Sequence, residues 1–238
     1  MPDEHASDDE RLRSEFNQWA ETGCGEEMEG HHRSIAEQAI PLMELKPGER
    51  VLDLGCGSGW ATRQLARLVA GGPQGAGQVV GLDISDEMIR RARAHSREFE
   101  NALFVWGSAA EIPWEENYFH KVLSIESFYY YPDQPRVLAE LVRVMVPGGR
   151  LFILINLYRD NPFSLRWVEA LKVPVQMRSE REYVQLLEAH SFEAVQARRI
   201  PNLSPTPEQH TSPWFRSSAE WHEFKRLGAL LLMARKPS

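Results

Sequence analysis

The sequence predicts an α/β protein: a mostly parallel sheet with helices on both faces. Three observations carry that reading. Short apolar runs alternate with stretches of helical periodicity as far as Asn156, the pattern of repeated strand–helix–strand units. The first run, Val51 to Leu54, stops at three glycines on alternate positions, Gly55, Gly57 and Gly59, and a helical pattern follows at once. The last two runs, Phe192 to Ile200 and Leu227 to Arg235, read as a pair of strands joined back to back at the end of the chain.

The chain of 238 residues fits one domain of ordinary size with room for a cap. Its formal charge of −7 is uneven, because residues 1 to 30 hold ten acids against two arginines and the rest is close to neutral. A near-neutral body lacks the Lys and Arg field that phosphate neutralisation needs, which argues against a nucleic-acid partner. Cys24 and Cys56, far apart in sequence, read as free thiols in a reducing compartment. The acidic start is unlike a secretion signal, and the apolar run Leu227 to Ala234 falls far short of the ~20 residues of a membrane span. A cytoplasmic protein without integral membrane association is the expectation.

Residues 1 to about 10 are acidic and are expected to be disordered. A helix over Glu10 to Ala20 carries Leu12, Phe16 and Trp19 on one stripe. Thr22 to Gly30, with three glycines, reads as a loop, and His31 and His32 open a second helical pattern that ends at Pro41. After the first strand, Ala61 to Ala70 places Ala61, Leu65, Leu68 and Val69 at helical spacing. Gly71 to Gly77 is a connector, and Gln78 to Asp83 is a second strand ending in an acid. Ser85 caps the next helix, whose first turn holds acids that suit its N-terminus.

Ala102 to Trp106 and His120 to Ile125 are the third and fourth strands. The exit of the fourth, Ser124 to Pro132, is dense in polar aromatics. A helix closing over Glu140 to Met145 leads through Val146-Pro-Gly-Gly149 into the strand Arg150 to Asn156, and Ser179 to Ala189 is a later helix. The connector Pro201 to Arg226, holding His210, Trp214, Trp221, His222 and Phe224, is long enough to be a functional cap.

The glycine loop points to a nucleotide-type ligand, since alternate glycines let the chain turn sharply and let a ligand lie on bare main chain. A dinucleotide fingerprint needs glycine where Trp60 stands, and no lysine follows Gly59 as a phosphate loop requires. The arrangement Asp53-x-Gly55-x-Gly57-x-Gly59 instead resembles the first motif of the class I S-adenosylmethionine (SAM) dependent methyltransferases. Four motifs in family order, over roughly residues 45 to 200, carry the resemblance. It is nearest to the small-molecule branch that includes ubiquinone and menaquinone methyltransferases.

The resemblance implies a Rossmann-like seven-stranded sheet in the order 3-2-1-4-5-7-6, the last strand antiparallel. It divides the chain into an acidic tail and helical lid, 1–44, and a methyltransferase domain, 45–238, with 201–226 as a cap insertion. SAM is the implied cofactor and S-adenosylhomocysteine the product. Asp53, Gly55, Cys56, Gly57 and Gly59 would face the methionine part, Asp83 would take the ribose diol, and Ile84 and Ile125 would lie against the nucleoside. Ser108 stands where the family usually has an aspartate. Its oxygen and the Ala109 N–H would serve the adenine.

For the acceptor, Glu126 is the first candidate base, with His31 and His32 next. Tyr129, Tyr130 and Tyr131 would orient an acceptor or face a cation, unless they simply pack. His32, Tyr130 and Trp214 are expected substrate contacts. The motifs of nucleic-acid amine, arginine and magnesium-dependent catechol methyltransferases are missing, and no Cys/His metal spacing occurs. The expected reaction is a metal-independent in-line transfer to a small, partly apolar acceptor by a monomer or homodimer. The alternative is a SAM-binding sensor that transfers nothing.

Overall fold

The structure, a computed structural model, describes residues 7–72, 75, 77–205, 212 and 214–238. Most of the acidic start, part of the glycine connector and His210 lie outside the described residues, as does the Cys24 side chain.

Seven strands form one sheet: β1 (Arg50–Leu54), β2 (Gln78–Asp83), β3 (Ala102–Trp106), β4 (Phe119–Ile125), β5 (Met145–Ile155), β6 (Glu193–Ile200) and β7 (Ala229–Arg235). Their spatial order is β3-β2-β1-β4-β5-β7-β6, as the resemblance implied. β1 to β5 pair in parallel, and β7 runs antiparallel between β5 and β6. Alternate residues of the central strands feed two cores. Leu52, Leu54, Val80, Leu82 and Val122 face one, and Val51, Val79, Leu123 and Phe152 face the other. Burial on both faces is why these strands read as continuous apolar runs.

The helices are α1 (Asp8–Thr22), α2 (Cys24–Ala39), α3 (Trp60–Val69), α4 (Asp86–His95), α5 (Gln134–Val144), α6 (Glu180–Ala189) and α7 (Ser218–Leu227). α3 covers one face through Leu65, Ala66 and Val69. α5 covers the other through Val137, Leu138, Leu141 and Val144.

The N-terminal region departs from the sequence reading. Of the start expected to be disordered, the described residues after Ser7 are helical: Ser7 caps α1 in a reciprocal capping box with Glu10, so the acids at 8–10 lie in the first helical turn and complement its dipole. The expected loop over residues 22–30 is reduced to Gly23, whose left-handed conformation (φ 80°) ends α1, and α2 begins at the next residue. Two glycines inside α2 cost about 1 kcal/mol each. Packing of Ile35, Ala36 and Ala39 against the sheet offsets that cost.

Val146 to Gly149 lies within β5, where a register shift between the Phe119 and Lys121 pairings absorbs the extra residues. The supposed cap connector carries α7 in its last third.

Candidate active site

The motifs converge at the C-terminal ends of β1, β2 and β4, where open α/β sheets place their ligands. They line one cavity of about 430 Å³, within the usual range for small-molecule sites. The N–H groups of Gly55 and Cys56 both donate to the Leu82 carbonyl, at 2.8 and 3.0 Å, turning the chain back across β2.

The three glycines do different work. A methyl on Gly55 would stand 2.4 Å from Ser127 Cβ, and one on Gly59 would stand 2.6 Å from the Phe104 ring. These two are packing glycines. Gly57 (φ 52°) lines the cavity and a methyl there would meet nothing within 4 Å, so this is where main chain lies bare to a ligand. Gly59→Ala is therefore expected to destabilise the fold by about 1–3 kcal/mol in denaturant titrations. Gly57→Ala should cost about 1 kcal/mol of strain and show its main effect in weakened cofactor binding by calorimetry.

Cys56 lines the edge of the cavity, while its thiol packs with Ile89, Ala92 and Phe104. Burial pushes that thiol above its usual range, with nearby Asp83 and Asp53 adding to the shift, so it stays protonated.

Asp53 is 2% exposed and accepts from Thr62 Oγ1 at 2.6 Å, which ties β1 to α3. Desolvation raises its pKa to about 6, opposed by the Thr62 bond. Asp83 Oδ2 accepts from Gly57 N–H at 2.8 Å and Oδ1 from Ser85 N–H at 2.9 Å. Burial raises its pKa, and these backbone donors pull the other way. The acid at the end of β2 thus shapes the glycine loop, and each oxygen keeps accepting capacity for a diol. Ile84, Met88, Ser108, Ala109 and Ile125 also line the cavity. Ser108 Oγ accepts from Ala110 N–H at 3.2 Å, a local turn that fixes where its oxygen sits.

Glu126 lines the same cavity and holds a left-handed backbone (φ 52°), uncommon for a residue with a side chain. Its N–H donates to Leu154 O at 2.8 Å, bridging β4 and β5. Oε1 accepts from the Asn156 N–H at 2.6 Å and Oε2 from the Tyr129 hydroxyl at 3.0 Å. Desolvation raises the Glu126 pKa to about 7, with the Tyr129 and Asn156 bonds opposing. Burial, then the charge of Glu126, pushes the Tyr129 phenol well above its ordinary range. It remains a donor. Tyr130 and Tyr131 line the same cavity, and the Tyr131 hydroxyl donates to Ser127 Oγ at 3.1 Å.

α1 forms the remaining wall through Leu12, Phe16 and Trp19. It is fastened to the start of α4. Arg13 pairs with Asp86 at 2.8 Å and lies 4.9 Å over the Trp106 ring, while Asn17 accepts from Ser85 Oγ at 2.6 Å.

The two histidines separate. His32 lines the cavity, and burial, helped by the charge of His31, pushes its pKa down to about 3, so it is neutral at working pH. His31 is exposed and does not line it, because neighbours on a helix point about 100° apart. Trp214 does not line it either. It is exposed, and its neighbours Phe215 and Trp221 stack on each other, part of an aromatic cluster with Trp167 and Phe224. The expected entry of His31 and Trp214 into the site is corrected on both counts.

Sequence reasoning missed Thr62, Ser127 and the role of the α1 stripe. Ser127 backs Gly55, donates to Leu54 O at 2.8 Å and holds Tyr131. A serine two residues past the end of β4 carries no sequence signal for that. The Leu12, Phe16, Trp19 stripe was legible as an apolar face, not as a cavity wall.

Residues 45–224 match the model of a family described as Methyltransferase domain. The chain is 33% identical over 167 residues to the 2-phytyl-1,4-naphtoquinone methyltransferase of Synechococcus elongatus, covering 65% of this chain and 70% of that protein. It is 34% identical over 169 residues to the demethylmenaquinone methyltransferase of Bacillus cereus, covering 67% and 70%. Among solved structures it is similar to a chain in the complex of the Haloferax volcanii Trm112 methyltransferase activator with a methyltransferase. That pair has 29% identity and a TM-score of 0.86, with 95% of this chain and 98% of the other covered. The Streptomyces coelicolor A3(2) geranyl diphosphate C-methyltransferase shares the fold at 17% identity, with a TM-score of 0.65 and coverage of 86% and 80%.

Proposed function

Because the chain belongs to the methyltransferase domain family and is a SAM-dependent methyltransferase, we propose that it methylates a small, partly apolar acceptor with Glu126 as the base. The observation that carries this is the buried Glu126–Tyr129 pair lining the same cavity as the glycine loop, with the carboxyl poised near neutral pH. Relatives named for naphthoquinone and menaquinone substrates support an apolar acceptor.

The residues present fit SAM. Gly57 offers bare main chain with space for a ligand, and the Asp53 and Asp83 carboxylates flank it. We assign the ribose to Asp83, the amino acid part to the Gly55–Gly59 loop and Asp53, and the adenine to Ile84, Ser108 and Ala109. When bound, SAM supplies an electrophilic methyl that is lost in line to a nucleophile, leaving S-adenosylhomocysteine. The chain's own work is to align, exclude water and take a proton at Glu126. Residues 7–44 act as the lid, α1 closing the wall over Tyr130. Among the described residues no cluster of three His, Cys, Asp or Glu side chains is placed to hold a metal, and no helix is long and apolar enough to cross a membrane.

For a partner, the sheet edge at β3 leaves Leu103 and Trp106 40% and 51% exposed. We infer that the chain takes a Trm112-type activator, on the strength of the neighbour solved in such a complex.

Transfer of labelled methyl from SAM into fractionated apolar metabolites tests the activity. Incorporation that disappears in Glu126→Gln supports the reading. SAM binding without transfer to any fraction would turn it toward a sensor.

A further inference from the structure

The wall that α1 contributes has a chemistry the cofactor does not use. Phe16, Trp19 and Tyr130 meet edge to face, with centroids 4.9, 5.3 and 6.5 Å apart, and Tyr129 continues the array 4.5 Å from Tyr130. All four line the cavity, and the Tyr129 hydroxyl joins them to Glu126. An array of ring faces and edges against a cavity binds flat π-systems better than saturated ones of equal area.

Charge adds an independent constraint. Besides Asp53, Asp83 and Glu126, the cavity is lined by Asp8, Asp9, Glu29 and Asp133, with Arg136 the one cationic side chain among the described lining residues. Arg136 Nε donates to the Ala110 carbonyl at 2.9 Å, and His32 is held neutral. An anionic ligand entering here would meet like charge in a partly desolvated space, whereas a neutral or cationic one would not.

Resting on the methyl-transfer reading above, we propose that Phe16, Trp19, Tyr129 and Tyr130 form the acceptor subsite. It takes a flat, uncharged or cationic ring and rejects carboxylate- or phosphate-bearing acceptors. The lid helix is thereby part of the specificity pocket, and Phe16 and Trp19 are specificity-determining residues.

The test uses the full chain saturated with S-adenosylhomocysteine and three probes of one shape: 2-naphthylmethanol, 2-naphthylmethylamine and 2-naphthoate, with cyclohexylmethanol as the saturated control. Calorimetry is expected to give the alcohol and the amine Kd values at least about tenfold below that of the carboxylate. Trp19→Leu keeps apolar bulk and removes the ring face. It should raise the Kd for both naphthyl ligands roughly fivefold, leaving that of cyclohexylmethanol unchanged. Phe16→Leu serves as the second variant, with thermal unfolding confirming that each is folded.

Naphthoate binding as tightly as the alcohol would overturn the charge rule. An unchanged naphthyl Kd in both folded variants would overturn the subsite. Loss of S-adenosylhomocysteine binding by the parent protein would instead strike the underlying reading.

Discussion

Asp83→Ala is expected to raise the Kd for SAM by about 10²-fold or more in calorimetry, the largest binding loss of any single substitution in the cavity. Two bonds from a ribose diol to a buried carboxylate are together worth about 3 kcal/mol, and 1.4 kcal/mol is a factor of ten. The same change orphans the Gly57 and Ser85 N–H groups that the carboxylate holds at 2.8 and 2.9 Å, so the glycine loop loses its tether as the ligand loses its anchor. Asp83→Asn separates the two roles. One amide oxygen can still accept, so an intermediate loss is expected, and hydrogen exchange at Gly57 would report how much of it comes from a loosened loop. SAM affinity unchanged in Asp83→Ala would remove the site assignment altogether.

Glu126→Gln is expected to lower kcat by about 10²–10⁴-fold, the usual range for a positioned general base. The parent enzyme should show kcat falling as pH drops below about 7, because the carboxyl must be ionised to accept a proton and its pKa lies near 7. The variant should lose that limb of the profile.

Stability should move the opposite way. The folded protein holds the Glu126 proton up to about 7, against an ordinary value of 4.5, so this group's contribution falls as pH rises from 4.5 through 7. Above pH 7 the folded parent carries a buried charge that the neutral amide of the Glu126→Gln variant does not. The variant should then be more stable in denaturant titrations, by on the order of 2–3 kcal/mol. Lower activity with higher stability is the signature of a group kept for chemistry rather than for the fold. A variant that loses stability at pH 8 would mark Glu126 as structural.

Much of the cavity lining at the ends of β1, β2 and β3 was legible in the sequence because it is local. The glycine loop, Asp83 and Ile84 follow directly from strand ends, and Ser108 and Ala109 from the next one. A short turn between a strand and a helix fixes the positions of its own residues. The lining around Glu126 was legible only in part. Glu126, Tyr129 and Tyr130 stood out as polar groups after an apolar strand, but His31 was placed in the site as part of an expected lid and Trp214 as part of an expected cap. A helix sends adjacent side chains to different faces, and a long connector folds wherever its aromatics find partners. Here Phe215 and Phe224 find Phe163 and Trp167 rather than the cavity.

By itself, then, the sequence determined the sheet and the cofactor loop. Strand runs buried on both faces and glycines at left-handed positions have few other physical solutions. Tertiary structure decided the rest of the cavity lining. Glu126 acquires its raised pKa by burial, against the opposing bond from Asn156 past β5, and the aromatic wall exists only because α1 lies across Tyr130, more than a hundred residues distant in the chain. Desolvation and ring packing depend on what else occupies the space, and a linear order of residues does not contain that information.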